Sequence, residues 1–83
     1  MIPWVTSKSK PTDLSGKLIG HFSQNPEPLI LFARGLKGLL VVTEAIALCN
    51  ATSEKDFQMS PLPLLPGSFW QQSTWRITVS YST

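Results

Sequence analysis

The sequence predicts a small α+β fold, and three observations carry that expectation. Apolar side chains recur with helical spacing through residues 29–49, a strict two-residue alternation fills residues 74–81, and 83 residues allow one hydrophobic core. The predicted domain is therefore a single unit, 1–83, with one amphipathic helix at about 28–50, one C-terminal strand at 74–81 and a short N-terminal partner strand. A lone helix flanked by disordered tails is the alternative architecture.

Residues 1–27 read as a polar leader with loops, because Pro3, Pro11, Gly16, Gly20 and Pro26 interrupt any sustained period. Within them Ile2–Thr6 and Lys17–Phe22 are the two segments able to supply a partner strand. The opening Met-Ile-Pro-Trp-Val is too short for the apolar part of a secretory signal and its lysines follow the apolar residues, so an intracellular location is expected.

The helix follows from positions 29, 32, 36, 39, 40, 43, 46 and 47, which are Leu, Phe, Leu, Leu, Leu, Thr, Ile and Ala. At 100° per residue these share one face, while Glu27, Arg34, Lys37 and Glu44 lie within an arc of roughly 100° opposite. Gly35 and Gly38 each cost about 1 kcal/mol relative to Ala and soften the first half. Asn50 is an acceptable stop.

Residues 51–68 read as a proline-rich connector: Pro61, Pro63 and Pro66 remove backbone donors and favour polyproline geometry. The strand region, 69–83, rests on Trp75, Ile77, Val79 and Tyr81 alternating with Arg76, Thr78, Ser80 and Ser82. The strand's apolar face is expected to meet Leu36, Leu39, Leu40 and Ile46 of the helix.

Charge narrows the function classes. Seven Lys or Arg face five Asp or Glu, and only 14% of residues are charged against the ~25% of ordinary soluble domains. The one local concentration of cations, Lys8, Lys10 and Lys17, is better explained as a solvated leader than as a phosphate-binding patch, so nucleic acid is not an expected partner. Gly35-Leu36-Lys37-Gly38 matches an RNA-binding Gly-x-x-Gly loop only as a short chance pattern. Pro63-Leu64-Leu65-Pro66 has the P-x-x-P form but no flanking arginine. Asn50-Ala51-Thr52 fits the glycosylation triplet and is read here as a helix terminus.

No enzyme is expected. His21 and Cys49 are the single histidine and cysteine, too few for a structural zinc site, and no phosphate loop or dinucleotide fingerprint is present, so neither metal nor cofactor is called for. The first functional expectation is a non-enzymatic protein-interaction module, binding a partner or itself through its apolar helix face or edge strand. Its candidate surface is Phe32, Leu36, Leu39, Leu40, Ile46, Trp75, Ile77, Val79 and Tyr81. The second is a small membrane-associated protein anchored by residues 29–49, although Arg34, Lys37 and Glu44 each oppose a span by ~2.5–3.5 kcal/mol. The third is a recently arisen or spurious reading frame with no selected function.

Overall fold

Two helices and a four-stranded mixed sheet make this an α+β protein. The computed structural model describes residues 4–53, 56–64 and 74–82. In chain order the elements are β1 (Trp4–Val5), α1 (Pro11–Gln24), β2 (Leu29–Arg34), α2 (Gly35–Thr52), β3 (Asp56–Pro63) and β4 (Thr74–Ser82). The sheet order is β1-β2-β4-β3; β1 is parallel to β2, and β4 runs antiparallel between β2 and β3.

The expected leader contains a helix. Pro11 sits in the first turn of α1, where its missing N–H costs nothing, and Asp13 favours the positive end of the helix dipole. Leu14, Leu18 and Phe22 recur every four residues and are buried. Gly16 and Gly20, which read as interruptions, simply occupy the exposed side. Lys17–Phe22 is therefore helical and not a partner strand. Of the other candidate, Ile2–Thr6, Trp4–Val5 forms β1, but it pairs with β2 and not with the C-terminal strand.

The expected helix over 28–50 divides in two. Residues 29–34 form β2 because they are apolar on both alternating sets: Leu29, Leu31 and Ala33 face the helices while Ile30 and Phe32 face away. A segment of that kind satisfies either period, and pairing with β1 and β4 on both edges decides for the strand. Gly35 then turns the chain directly into α2 with φ 72°, a backbone conformation that costs a side-chain-bearing residue about 1–2 kcal/mol.

α2 also presents a different face from the one expected. Gly35, Gly38, Val41, Val42, Ala45, Ile46 and Cys49 are buried, whereas Leu36 and Leu40 are 39% and 54% exposed. At 100° per residue the buried face is turned roughly 125° from the predicted one. Small and β-branched side chains win the interior because they let α2 approach the sheet closely. A Cβ on Gly38 would stand 2.8 Å from the Val5 carbonyl oxygen.

The C-terminal strand is present as expected, one residue longer, with Trp75, Ile77 and Val79 buried and Tyr81 half-buried. Its interior face joins a core with Val42, Ala45, Ile46 and Cys49 of α2, Leu14, Leu18 and Phe22 of α1, and Leu31 and Ala33 of β2. Leu36 and Leu40 take no part, and Leu39 packs at the margin.

The proline-rich connector contains β3, whose prolines fit for a specific reason. The Leu64 N–H donates to the Thr74 carbonyl at 2.8 Å, which makes the even-numbered residues of β3 the ones that bond toward β4. Pro61 and Pro63 occupy odd positions, so their absent N–H groups would have pointed off the edge of the sheet. Residues 54–55 and 65–68 of the connector, and residues 69–73 of the strand region, with Phe69 and Trp70, lie outside the described residues.

Asn50 closes the same edge. Its Nδ2 donates to the Phe57 carbonyl at 3.2 Å and its Oδ1 accepts from the Phe57 N–H at 2.6 Å, so one carboxamide stands in for a neighbouring strand. At about 0.5–1.5 kcal/mol per bond, Asn50→Ala is expected to lower stability by ~1–3 kcal/mol, read as a reduced urea midpoint with unchanged slope. Asn50→Asp keeps the acceptor, loses the donor and should lie between the two.

Candidate interaction site

Among the described residues, helices cover the sheet on one side only. Val5, Leu31, Ala33, Trp75, Ile77 and Val79 point to that side, so their strand neighbours point to the other. Register places Trp4, Phe32, Arg76 and Leu62 in one row across all four strands, with Ile30, Thr78 and Ser60 in an adjacent row.

This face holds large apolar side chains in water. Trp4 is 54% exposed, Ile30 48% and Leu62 48%, and Phe32 is half-buried. Trp4 and Phe32 stack with ring centroids 5.4 Å apart and planes 29° from parallel, which presents a rigid aromatic platform at the β1–β2 end. Arg76 lies between Phe32 and Leu62, and Arg34 lies one alternation beyond Phe32. Among the described strand residues the acid on this face is Asp56, six positions from Leu62 along β3, or about 20 Å. The apolar row therefore sits in a positive setting.

The residues expected from sequence to form one surface are divided among three environments. Ile46, Trp75, Ile77 and Val79 are core, and Tyr81 is half-buried with its hydroxyl donating to the Phe22 carbonyl at 3.3 Å. Leu36 and Leu40 are exposed on α2, with Leu39 partly buried beside them. Phe32 alone of the set belongs to the uncovered sheet face. Trp4, Ile30, Arg34, Leu62 and Arg76 were missed there. The cross-strand pairing that gathers them is long-range, although the alternating Ile30, Phe32 and Arg34 within the apolar run were a signal that a second sheet face existed.

The two residues with nucleophile or base chemistry are kept apart. The Cys49 thiol donates to the Ser15 carbonyl at 3.5 Å, and its burial pushes the thiol above its ordinary 9.0. His21 lies six residues further along α1, about 9 Å on the axis, edge-on to Phe22 with centroids 5.0 Å apart. No group of three His, Cys, Asp or Glu side chains among the described residues could hold a metal ion.

α2 is long and apolar enough to cross a membrane by length and composition, with 18 residues and mean hydropathy 1.3. A core helix of a soluble protein passes the same test, and 39% of α2 is already buried against its own chain. No protein-family model matches this sequence, and a search of curated proteins returned no significant match.

Proposed function

We propose that this protein is a non-enzymatic interaction module whose uncovered sheet face receives an amphipathic, acidic helix of a partner protein. The observation that carries the reading is the stacked Trp4–Phe32 pair, exposed in one row with Arg76 and Leu62. An apolar sheet face is normally covered by a second layer, and a helix with one apolar stripe is the usual cover. Arg34 and Arg76 select for acids along the flank of that stripe. Association with a second copy through the same face would set these arginines against their like.

Strand addition is the weaker mode, because Asn50 occupies one outward position of β3 and two prolines remove donors at two more. An intracellular location accompanies the proposal, since a lone buried thiol calls for no oxidising compartment.

The test uses two designed helical peptides with the same Leu and Ile stripe, one flanked by Glu and one by Lys. The acidic peptide is expected to bind, to shift the amide resonances of Ile30, Phe32 and Arg76, and to weaken with salt. Trp4→Ser should reduce affinity by roughly thirtyfold, the size expected for an aromatic hot spot, and Arg76→Glu should reverse the preference between peptides. Equal binding of both peptides, shifts confined to other surfaces, or concentration-dependent dimerisation without peptide binding would each overturn the reading.

A further inference from the structure

A second surface, on the opposite layer, has different chemistry. Leu36 and Leu40 project from the first turns of α2 into solvent at 39% and 54% exposure. Lys37 is exposed within about 60° of Leu40 around the helix axis. Beside them Ser7, Arg34, Gly35, Leu36 and Lys37 line a shallow cavity of about 210 Å³. Lys8, exposed, follows Ser7 in a turn fixed by three bonds: the Thr6 N–H donates to Ser9 Oγ at 3.1 Å, the Lys8 N–H to Thr6 Oγ1 at 3.2 Å, and the Ser9 N–H to the Thr6 carbonyl at 3.1 Å. Two exposed lysines, Lys37 on the helix and Lys8 in the adjoining turn, thus lie at the same end as the two protruding leucines, and none of the residues lining the cavity is acidic. The first acid on α2 is Glu44, one turn past Leu40.

We propose that this end of the molecule docks on an anionic lipid surface, with Leu36 and Leu40 entering the interface and Lys8 and Lys37 meeting the headgroups. The match is one of charge and shape. Leucines placed among long cationic side chains reach the acyl boundary while the cations extend back to the headgroups, the arrangement by which a helix lies on a membrane. A nucleic-acid strand would meet the same cations but leave both leucines in water. Docking of this kind leaves Val42, Ala45 and Cys49 in the core, whereas a span by α2 would withdraw them.

Sedimentation with phosphatidylcholine vesicles, with and without phosphatidylserine, tests the proposal on the full chain. The protein is expected to pellet with the phosphatidylserine vesicles, to stay in solution with phosphatidylcholine alone, and to be released by high salt or alkaline carbonate. Each cation near the surface contributes about fivefold in partitioning, so Lys37→Glu should weaken binding by more than that and Glu44→Gln should strengthen it. Leu36→Ser combined with Leu40→Ser should abolish vesicle binding while circular dichroism and affinity for the acidic peptide stay unchanged, which separates a failure here from a failure at the sheet face. Equal partitioning into both vesicle types, competition by inorganic phosphate alone, retention after carbonate, or indifference to the leucine substitutions would overturn it.

Discussion

Phe22→Ala is expected to destabilise the protein by about 3–5 kcal/mol, the range for truncating a fully enclosed aromatic. Phe22 is 2% exposed and its ring meets Tyr81 at 4.8 Å and Phe57 at 5.7 Å between centroids, both at 70° between planes. Its carbonyl also accepts the Tyr81 hydroxyl. The residue therefore fastens the last turn of α1 to β3 and β4, in addition to the packing of α1 on α2. At about 0.05–0.15 kcal/mol per residue, a domain of this size holds ~4–12 kcal/mol in total, so the substitution removes much of it. Urea unfolding measures the loss. Tyr81→Phe keeps the ring and should cost ~0.5–1.5 kcal/mol; a loss as large as that of Phe22→Ala would show that the hydroxyl, and not the aromatic cluster, holds α1.

Gly38→Val is expected to cost ~1–2 kcal/mol net and to separate β1 from β2. Even an alanine Cβ at this position stands 2.8 Å from the Val5 carbonyl oxygen and 3.5 Å from Ala33, so either α2 or β1 must shift. Overpacking of this kind costs about 1–3 kcal/mol, against a gain of ~1 kcal/mol from replacing a helical glycine by alanine. The obstacle is backbone, which has no rotamer to yield. A displaced β1 carries Trp4 off Phe32, so acidic-peptide binding should fall along with the melting temperature. Gly20→Ala supplies the opposite sign: nothing lies within 4 Å of its added Cβ on the exposed side of α1, and a gain of up to about 1 kcal/mol is expected. If both glycines responded alike, close approach between α2 and β1 would not be what requires Gly38.

The comparison of Gly20 and Gly38 shows why some elements were legible and others were not. Both are helical glycines with the same intrinsic cost, and only the neighbour across the interface distinguishes them. The strand at 74–81 was legible because its alternation leaves a single assignment. Leu29–Arg34 was not, since Ile30 and Phe32 are apolar on the face where a half-buried strand would be polar, and a helical period fits them equally well. Leu14, Leu18 and Phe22 make a narrow stripe interrupted by two glycines, too thin a pattern to outweigh the prolines around it.

Residue order by itself determined the α+β class, the C-terminal strand and its inward face, and the excess of apolar over charged side chains that leaves greasy surface outside. Tertiary packing decided the rest: which side of α2 is interior, how Pro61 and Pro63 are accommodated at an open edge, and the gathering of Trp4, Phe32, Arg76 and Leu62 into one row. The reason is that period and propensity act within a few residues, whereas steric fit between α2 and β1 and the hydrogen-bonding phase between β3 and β4 exist only once distant segments meet.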